Sequence, residues 1–138
     1  MSELITLAGG VLLNDANQML LLHRNTEKLT QWEMPAGECE GGESPEEAMR
    51  RGLRKETGVY VETARFLALA AIWHDGKQCE FHWFEVTTSD NPRIMEPGVH
   101  DELRYYDLFR LRRMESALSR DLLAFSNQLN DGEIRLES

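Results

Sequence analysis

The sequence predicts an α/β fold in which strands are sandwiched between two helices. Extended apolar runs stand both before residue 44 and after residue 58, and the segment between them carries the start and stop signals of a helix. A second segment, from 111 to 129, repeats apolar residues at intervals of three and four, which is the period of an amphipathic helix. Strands flanked by helices pack as layers around a shared core.

The first third of the chain is predicted to form strands joined by turns. Residues 4–13 are mostly apolar and read as a strand, and the polar run 14–17 is a turn. Residues 19–22 then form the second half of a predicted hairpin. After a polar loop, residues 32–37 form a short extended piece, because Pro35 disfavours helical angles at the residue before it.

Residues 44–58 give the clearest helix signal in the chain. Ser44 is suited to cap the helix, Pro45 fits its first position, and Gly58 is placed to end it. Acidic residues lie in the first turn and basic residues in the later turns, which complements the helix dipole. One face carries an apolar stripe that would pack against a sheet, formed by Ala48, Met49 and Leu53.

The second half of the chain alternates extended runs with turns and ends in a helix. The predicted elements in order are a strand-rich run from 59 to 75, a hairpin turn at Asp75-Gly76, a strand from 78 to 88, a loop from 89 to 101, a strand from 102 to 109 and a helix from 111 to 129. The polar tail at 131–138 is predicted to fray. Residues 1–138 together are expected to form a single domain.

Composition and charge restrict the classes of partner. The 138 residues are 41% hydrophobic and 28% charged, values typical of a soluble globular domain. The formal net charge of −9 disfavours a long nucleic acid as partner, because basic side chains supply most of that affinity. No apolar run is long enough to span a bilayer and no signal peptide is visible, so we expect a cytoplasmic protein with no membrane partner. Cys39 and Cys79 are expected to be free thiols.

Residues 37–59 carry the pattern on which a functional hypothesis can be built. They read GECEGGESPEEAMRRGLRKETGV. This segment resembles the Nudix box, G-x5-E-x7-R-E-U-x-E-E-x-G-U, where U is an aliphatic residue. The residues that fall on the pattern are Gly37, Glu43, Arg51, Leu53, Glu56, Gly58 and Val59. The chain therefore resembles the Nudix (MutT-like) hydrolase family, with the motif confined to the box and the strands and helices placed along essentially the whole chain.

The resemblance implies a fold, a reaction and a cofactor. The implied fold is an α/β/α sandwich, with a mixed sheet between the box helix and the C-terminal helix. The implied reaction is hydrolysis of a nucleoside diphosphate linked to another group, which is a small phosphorylated substrate. Mg²⁺ or Mn²⁺ would neutralise the diphosphate oxygens and activate a bound water.

Two positions depart from the pattern, since Gly52 and Lys55 stand where the family has glutamates. Positions 52, 55 and 56 are separated by three and four residues, so they share one helix face. That face keeps only Glu56, and the Lys55 ammonium would weaken a multi-metal site, because unit charges about 4 Å apart interact by about 4 kcal/mol near a protein surface. Gly52 has two open explanations, drift after loss of selection and close approach of a ligand or loop to the helix backbone. Drift is the one we favour.

The resemblance and the positions of the charged residues give a set of candidate site residues. The expected metal ligands are the carbonyl of Gly37 and the carboxylates of Glu40 and Glu56. The candidates for the chemical step are Glu56, Glu96 and Glu102. The expected substrate contacts are Arg24, Trp32, Glu33 and Lys55. Glu43 and Arg51 are expected to pair and to hold the loop against the helix. His100 is noted because it lies in a loop that often reaches the family's active site.

Two functions remain open on the sequence. In the first, the chain is a pyrophosphohydrolase whose site is completed by carboxylates from outside the box. In the second, it binds a nucleotide-like ligand or a protein without turnover, and Lys55 contacts phosphate directly. A DNA-binding regulator is disfavoured by the net charge and by the absence of a second domain. The family resemblance also implies that a homodimer could form, through an interface that the sequence does not identify.

Overall fold

The computed structural model describes residues 4–74 and 76–137 and has strands in two sheets, with helices packed against them. Its elements in chain order are β1 (Leu4–Leu12), β2 (Gln18–Asn25), β3 (Thr30–Glu33), β4 (Ala36–Glu38), α1 (Pro45–Thr57), β5 (Thr63–His74), β6 (Lys77–Thr87), β7 (His100–Asp107), a 3-10 segment (Leu108–Ala117) and α2 (Arg120–Asn130). The α/β prediction is confirmed, and the strands are divided between two sheets.

The larger sheet has four strands in the order β4-β1-β6-β5. Its central strands β1 and β6 are parallel, while β4 and β5 are antiparallel to their neighbours, so the sheet is mixed as expected. The smaller sheet is antiparallel, in the order β3-β2-β7. The antiparallel pairing of β5 with β6 agrees with the predicted hairpin, although Asp75 of the predicted turn lies outside the described residues.

The predicted hairpin between the first two strands is wrong. β1 and β2 lie in different sheets and share only an isolated bridge between Leu13 and Met19. β1 pairs with β6 along its length and with β4 at residues 7–9, whereas β2 pairs with β3 on one side and β7 on the other. The turn after β1 therefore redirects the chain to the second sheet, and Asn17 takes a left-handed φ of 58° there.

Side chains alternate across the larger sheet and build two cores on its opposite faces. On one face, Ala8 and Phe84 pack with the apolar stripe of α1. On the other face, Val11 and Trp83 pack with the 3-10 segment and α2, where Phe125 lies with its ring 5.6 Å from Trp83. This layering agrees with the expected placement of the sheet between the box helix and the C-terminal helix.

The helix predicted at 111–129 is interrupted, because residues 118 and 119 leave the helical path. Leu118 forms a parallel bridge with Trp32, and the Ser119 N–H donates to the Trp32 carbonyl at 2.8 Å. Ser119 then caps α2, its hydroxyl accepting from Leu122 N–H at 3.4 Å. The predicted helix is therefore a 3-10 segment up to Ala117 followed by α2 from Arg120, and the break between them contacts β3.

The tail predicted to fray is packed against the larger sheet as far as the structure describes it. Ile134 is 3% exposed, and the Glu137 N–H donates to a Glu85 carboxylate oxygen at 3.0 Å.

β7 begins at His100, two residues before the predicted strand. Among the described residues, no helix has both the length and the apolar character that crossing a bilayer requires.

Candidate functional site

The box helix α1 has the ends that the sequence predicts. The Ser44 hydroxyl accepts the Glu47 N–H, and the Glu47 carboxylate accepts the Ser44 N–H, both at 3.1 Å, which is a capping box. Pro45 opens the helix and Gly58 ends it with a left-handed φ of 75°. The apolar stripe is fully buried. The helix is therefore fixed at both ends and along one side, which sets the position of its site-facing residues.

Arg51 holds the loop that precedes the helix, and its predicted pairing with Glu43 is confirmed. Arg51 Nε and Nη2 donate to the two carboxylate oxygens of Glu43 at 2.9 and 3.1 Å, and Nη2 also donates to the Glu38 carbonyl at 2.6 Å. These hydrogen bonds to the ionised carboxylate hold the pKa of Glu43 below its usual range. Glu40 lies at the rim of this loop, 3.8 Å from Arg51 and 72% exposed.

Gly52 lies where the chain approaches the helix closely, which favours the close-approach explanation over the drift expected from the sequence. A Cβ atom at position 52 would lie 2.5 Å from Gly37 N and closer still to the Ala36 carbonyl. A Cβ atom at position 37 would in turn overlap the Ala48 carbonyl oxygen and lie 3.3 Å from Gly52 Cα. The backbone of β4 therefore rests on the helix at two glycines, in the space that a side chain at 52 would need.

Glu33 is the central residue of a polar network that includes Arg24, Gln31 and His100. Arg24 donates to both of its carboxylate oxygens, from Nε at 2.8 Å and from Nη2 at 3.0 Å, and Gln31 Nε2 donates at 3.0 Å. Burial favours the neutral acid, but hydrogen bonds from His100, Arg24 and Gln31 outweigh it and lower the pKa of Glu33 to about 2. Glu33 is therefore a carboxylate at any physiological pH.

Glu56, the carboxylate kept on the box face, has the opposite character. It is 9% exposed, and its Oε1 accepts the Ala36 N–H at 2.9 Å. Burial raises the pKa of Glu56 to about 7, with the Ala36 N–H opposing the rise and the charge of Glu33 adding to it. A carboxyl that titrates near neutrality can take up or release a proton at working pH. Two neighbouring carboxyls with such different pKa values can take different chemical roles.

His100 completes the buried group. Its ring is 0% exposed, and Nε2 lies 3.2 Å from Glu33 Oε2 and 3.8 Å from Glu56 Oε2. The ligand atoms of Glu33, Glu56 and His100 all lie within 4.8 Å of one another, the only such group of potential metal ligands among the described residues. β7 and the loop before it thus bring an imidazole to the carboxylate of α1.

A cleft of about 350 Å³ opens beside this group, along the site-facing side of α1. Its lining residues include Arg24, Gly37, Glu40, Arg51, Gly52, Lys55, Glu56 and Glu96. Positions 52, 55 and 56 therefore share one face, as predicted. A cavity of about 180 Å³ shares Arg24 and Glu56 with the cleft and adds Glu33. A hollow of about 610 Å³ adjoins that cavity through Gln31, Phe81 and Asp121.

The structure leaves two of the expected site residues away from these spaces. Trp32 lies in β3, with its ring centroid 4.7 Å from that of His23 and 5.1 Å from that of Tyr106, and it lines neither the cleft nor the cavity. Glu102 lies on β7 with its carboxylate 2.6 Å from Arg104, outside both linings as well. Their positions therefore do not support the expected role of Trp32 in substrate binding or that of Glu102 in the chemical step.

Asp121 is a site-lining residue that sequence reasoning missed. It lies at the start of α2, accepts the Ser119 hydroxyl at 2.6 Å, and borders both the 180 Å³ cavity and the 610 Å³ hollow. Burial raises its pKa. In the sequence it reads as an ordinary acidic residue inside the predicted helix, whereas in the structure it lies in the first turn of α2, next to the break at residues 118 and 119.

The donor atoms fit one divalent cation and do not fit the multi-metal site that the resemblance implies. The box face offers the single carboxylate of Glu56, the backbone of β4 fills the space beside Gly52, and Lys55 places a positive charge on the same cleft. Glu40 is too exposed and too far toward Arg51 to belong to the buried group. Glu33, Glu56 and His100 remain as the residues that could hold a cation.

Comparison with known proteins decides the family. The family model for the NUDIX domain matches residues 5–124. The chain belongs to the Nudix family. Among curated relatives, the RNA pyrophosphohydrolase of Cereibacter sphaeroides is 37% identical over 65 residues, and that of Roseobacter denitrificans is 35% identical over 65 residues. The matched segment covers 47% of this chain and 40 to 41% of those proteins, so the chain aligns with less than half of their length.

Solved structures show the Nudix fold over nearly the whole chain. The MutT NUDIX hydrolase from Burkholderia pseudomallei superposes with a TM-score of 0.77 at 21% identity, covering 92% of this chain and 98% of that one. The NUDIX domain of Shewanella oneidensis NrtR, complexed with ADP ribose, gives a TM-score of 0.70 at 20% identity, covering 96% and 88%. Within this Nudix fold, the changes at Gly52 and Lys55 fall on a helix whose shape is otherwise retained.

Proposed function

We propose that this Nudix domain hydrolyses the diphosphate linkage of a small compound in which a nucleoside diphosphate is joined to another group. The observation that carries the proposal is the position of Glu56, buried in the wall of a cleft that also receives the cationic groups of Arg24 and Lys55. Such a cleft can bind a diphosphate and offer it a base. The pyrophosphohydrolase activity named for the curated relatives supports the same class of reaction.

In the proposed reaction, water attacks one phosphorus of the diphosphate. A new P–O bond forms to the water oxygen, the bond from that phosphorus to the bridging oxygen breaks, and the second phosphate leaves with the bridging oxygen. Glu56 accepts the proton of the attacking water, which suits a carboxyl whose pKa is raised to about 7 by burial. Glu96, which also lines the cleft, is another carboxylate that could orient the water.

Positive side chains would carry the substrate charge. Lys55 is exposed on the cleft wall and supplies a point charge to non-bridging oxygens. Arg24 keeps guanidinium hydrogens beyond the two that bind Glu33 and can contact a second phosphate. If Glu33, Glu56 and His100 hold a divalent cation, it would add further charge neutralisation, and Glu96 in place of Glu56 would take the proton of the water. Lys55 would thus neutralise part of the negative charge of the diphosphate. In a complete box, metal ions bound by the carboxylates would neutralise that charge.

The 180 Å³ cavity and the 610 Å³ hollow next to the cleft suit the groups attached to the diphosphate. The 610 Å³ hollow has an apolar side formed by Leu29, Phe81 and Leu118 and polar groups from Gln31 and Asp121. An apolar wall with a few polar groups is typical of sites that bind small organic ligands. A base or sugar placed there would leave the diphosphate in the cleft next to Glu56.

The test is release of phosphate or a nucleoside monophosphate from a panel of nucleoside diphosphate derivatives, with and without divalent cations. Glu56→Gln should reduce kcat by about 100-fold or more, the usual contribution of a positioned general base. Glu46→Gln, an exposed glutamate on the same helix, is the matched control and should leave the rate unchanged. Absence of turnover at high enzyme concentration, or equal rates for wild type and Glu56→Gln, would contradict the proposal.

The second candidate is binding of a phosphorylated ligand without turnover, and the cation at position 55 favours it. Calorimetry with ADP and ADP-ribose in a chelating buffer would measure metal-free binding. Lys55→Glu should abolish that binding, while Lys77→Glu, an exposed lysine at the far end of β6, should not. Binding that depends on Lys55 together with a silent hydrolysis panel would favour this candidate over the first.

The finer expectations on cofactor, location and assembly stay predictions. Use of Mg²⁺ or Mn²⁺, a cytoplasmic location and a homodimer each follow from the sequence or from the family resemblance. The metal panel above addresses the first, and sedimentation of the purified protein addresses the last.

A further inference from the structure

We infer that Glu33, Glu56 and His100 form a site for one first-row transition-metal dication, such as Co²⁺ or Zn²⁺, with the His100 imidazole as a ligand and Mg²⁺ as a poor occupant. The inference deepens the proposed function, because it concerns the wall of the same cleft. It does not require turnover, because metal binding can be measured directly.

The three groups lie near the distances that a shared cation requires. Two ligand atoms that are each about 2.1 Å from one cation lie about 3.0 Å apart at a right angle and about 3.4 Å apart in a tetrahedron. His100 Nε2 lies 3.2 Å from Glu33 Oε2 and 3.8 Å from Glu56 Oε2. Shortening the distance between His100 and Glu56 by a few tenths of an ångström would bring it to the tetrahedral value, and the ligand atoms of all three residues lie within 4.8 Å of one another. All three residues are at least nine-tenths buried, so the ion would have few competing waters.

Only one oxygen of each carboxylate is directed to this point. Glu56 Oε1 is held by the Ala36 N–H at 2.9 Å, and Glu33 Oε1 accepts from both Arg24 Nε and Gln31. Glu33 Oε2 accepts Arg24 Nη2 at 3.0 Å, and its second lone pair faces His100. A cation would replace that second contact and leave the Arg24 pair intact. The protein therefore offers two oxygens and one nitrogen on one side of the ion.

His100 can supply the nitrogen once its Nε2 proton is displaced. Its ring is fully buried, and Nδ1 has no hydrogen-bond partner among the described residues. In the metal-free protein Nε2 donates to the ionised Glu33 carboxylate, so a cation bound at Nε2 would displace that proton to Nδ1 or to solvent. The ring is held in place by its position at the start of β7, where it faces both carboxylates.

This donor set selects against magnesium. Mg²⁺ requires close to octahedral coordination by oxygen and gives up its waters reluctantly. Imidazole suits Co²⁺, Zn²⁺ and Ni²⁺ much better, and affinity for mixed nitrogen and oxygen sites rises along the first row toward copper. The usual box supplies carboxylate oxygens at positions 52 and 55, and this chain has Gly52 and Lys55 there. Loss of those oxygens and gain of an imidazole both shift the metal preference away from Mg²⁺ and toward Co²⁺ or Zn²⁺.

Calorimetry of the metal-free protein with Co²⁺ and with Mg²⁺ tests the inference. We expect one Co²⁺ per chain, bound at least about 100-fold more tightly than Mg²⁺. His100→Gln should weaken Co²⁺ binding by about tenfold to 100-fold or more and leave the weak Mg²⁺ binding unchanged. His23→Gln is the matched control, because His23 pairs with Asp101 outside the buried group, and it should bind Co²⁺ like the wild type.

A second measurement keeps the test independent of how well the His100 variant folds. Zn²⁺ added to the wild type should shift the imidazole nitrogen resonances of His100 in a nitrogen-15 spectrum and leave those of His23 in place. Equal affinity for Mg²⁺ and Co²⁺, or His100 resonances that do not move, would overturn the inference. Tight Co²⁺ binding with no hydrolysis would refute the proposed function alone. Hydrolysis supported by Mg²⁺ without discrimination between the ions would refute the inference alone.

Discussion

Replacing Gly52 with alanine distinguishes the two explanations of the glycine in the box helix. If the residue were there by drift, the helix surface at 52 would be open, and alanine would improve the helix by about 1 kcal/mol. In the structure the position is closed by the backbone of β4, with Gly37 N at 2.5 Å from the site of a Cβ atom. The two explanations therefore predict opposite signs for the change in the free energy of unfolding.

The size of the effect follows from what must move. The atoms that a new Cβ atom would meet belong to the Ala36 carbonyl and the Gly37 amide, which are backbone atoms and cannot rotate away. Extra carbon in a closely packed site costs about 1–3 kcal/mol, occasionally more. After the gain in helix propensity of about 1 kcal/mol is subtracted, Gly52→Ala should destabilise the protein by up to about 2 kcal/mol.

Urea unfolding followed by tryptophan fluorescence measures this difference. Gly98→Ala is the matched control, because a Cβ atom at 98 would have no neighbour within 4 Å. That change should be neutral or stabilise by about 0.4–1 kcal/mol through the unfolded chain. A Gly52→Ala protein that is more stable than the wild type by about 1 kcal/mol would refute the close-approach explanation.

The same substitution should reach the site. The Ala36 N–H that binds Glu56 at 2.9 Å belongs to the peptide group next to the one displaced. A shift of β4 would lengthen this hydrogen bond and move the amide resonance of Ala36. An Ala36 resonance unchanged in Gly52→Ala, despite a loss of stability, would separate the packing at Gly52 from the position of Glu56.

Three further predictions follow from the caps, the buried carboxyl and the exposed edge strand. Ser44→Ala should cost about 1 kcal/mol of unfolding free energy, because it removes the cap that binds the Glu47 N–H; an unchanged urea midpoint would contradict this. In metal-free protein, ionisation of Glu56 opposes folding, because burial raises its folded pKa from 4.5 to about 7. Its contribution is present below pH 4.5 and is lost as pH rises through 7, so the stability difference between wild type and Glu56→Gln should change by about 3 kcal/mol between pH 4.5 and 8. Parallel pH profiles would refute this. If a homodimer forms through the exposed apolar row on β5, Trp73→Lys should convert it to monomer in sedimentation, since Trp73 is 63% and Leu69 is 48% exposed; a dimer that persists would place the interface elsewhere.

The sequence predicted correctly those features that depend on residues close together in the chain. The ends of α1 follow from Ser44, Pro45 and Gly58, and the pairing of Glu43 with Arg51 follows from their place in the box. The hairpin after β1 and the unbroken C-terminal helix were wrong, because both depend on which strand edges are occupied. No short segment records that β1 is paired on both sides or that Leu118 meets β3.

The site divides in the same way. The retained Glu56 and the shared face of positions 52, 55 and 56 were predictable from spacing along one helix. The group of Glu33, Glu56 and His100 was not, because its members come from β3, α1 and β7. The residues at 33 and 100 are brought to one point only when β2 pairs with both β3 and β7.

The two departures from the box have connected physical consequences. With no side chain at 52, β4 packs on the helix backbone, and the Ala36 N–H then reaches Glu56 Oε1. That hydrogen bond turns the other oxygen of Glu56 toward His100, away from the face where a second carboxylate would stand. Lys55, which shares that face with the single carboxylate of Glu56, is exposed to the cleft and can meet substrate phosphate. If Gly52→Ala displaces Ala36, it should therefore also weaken Co²⁺ binding, although residue 52 offers no ligand atom.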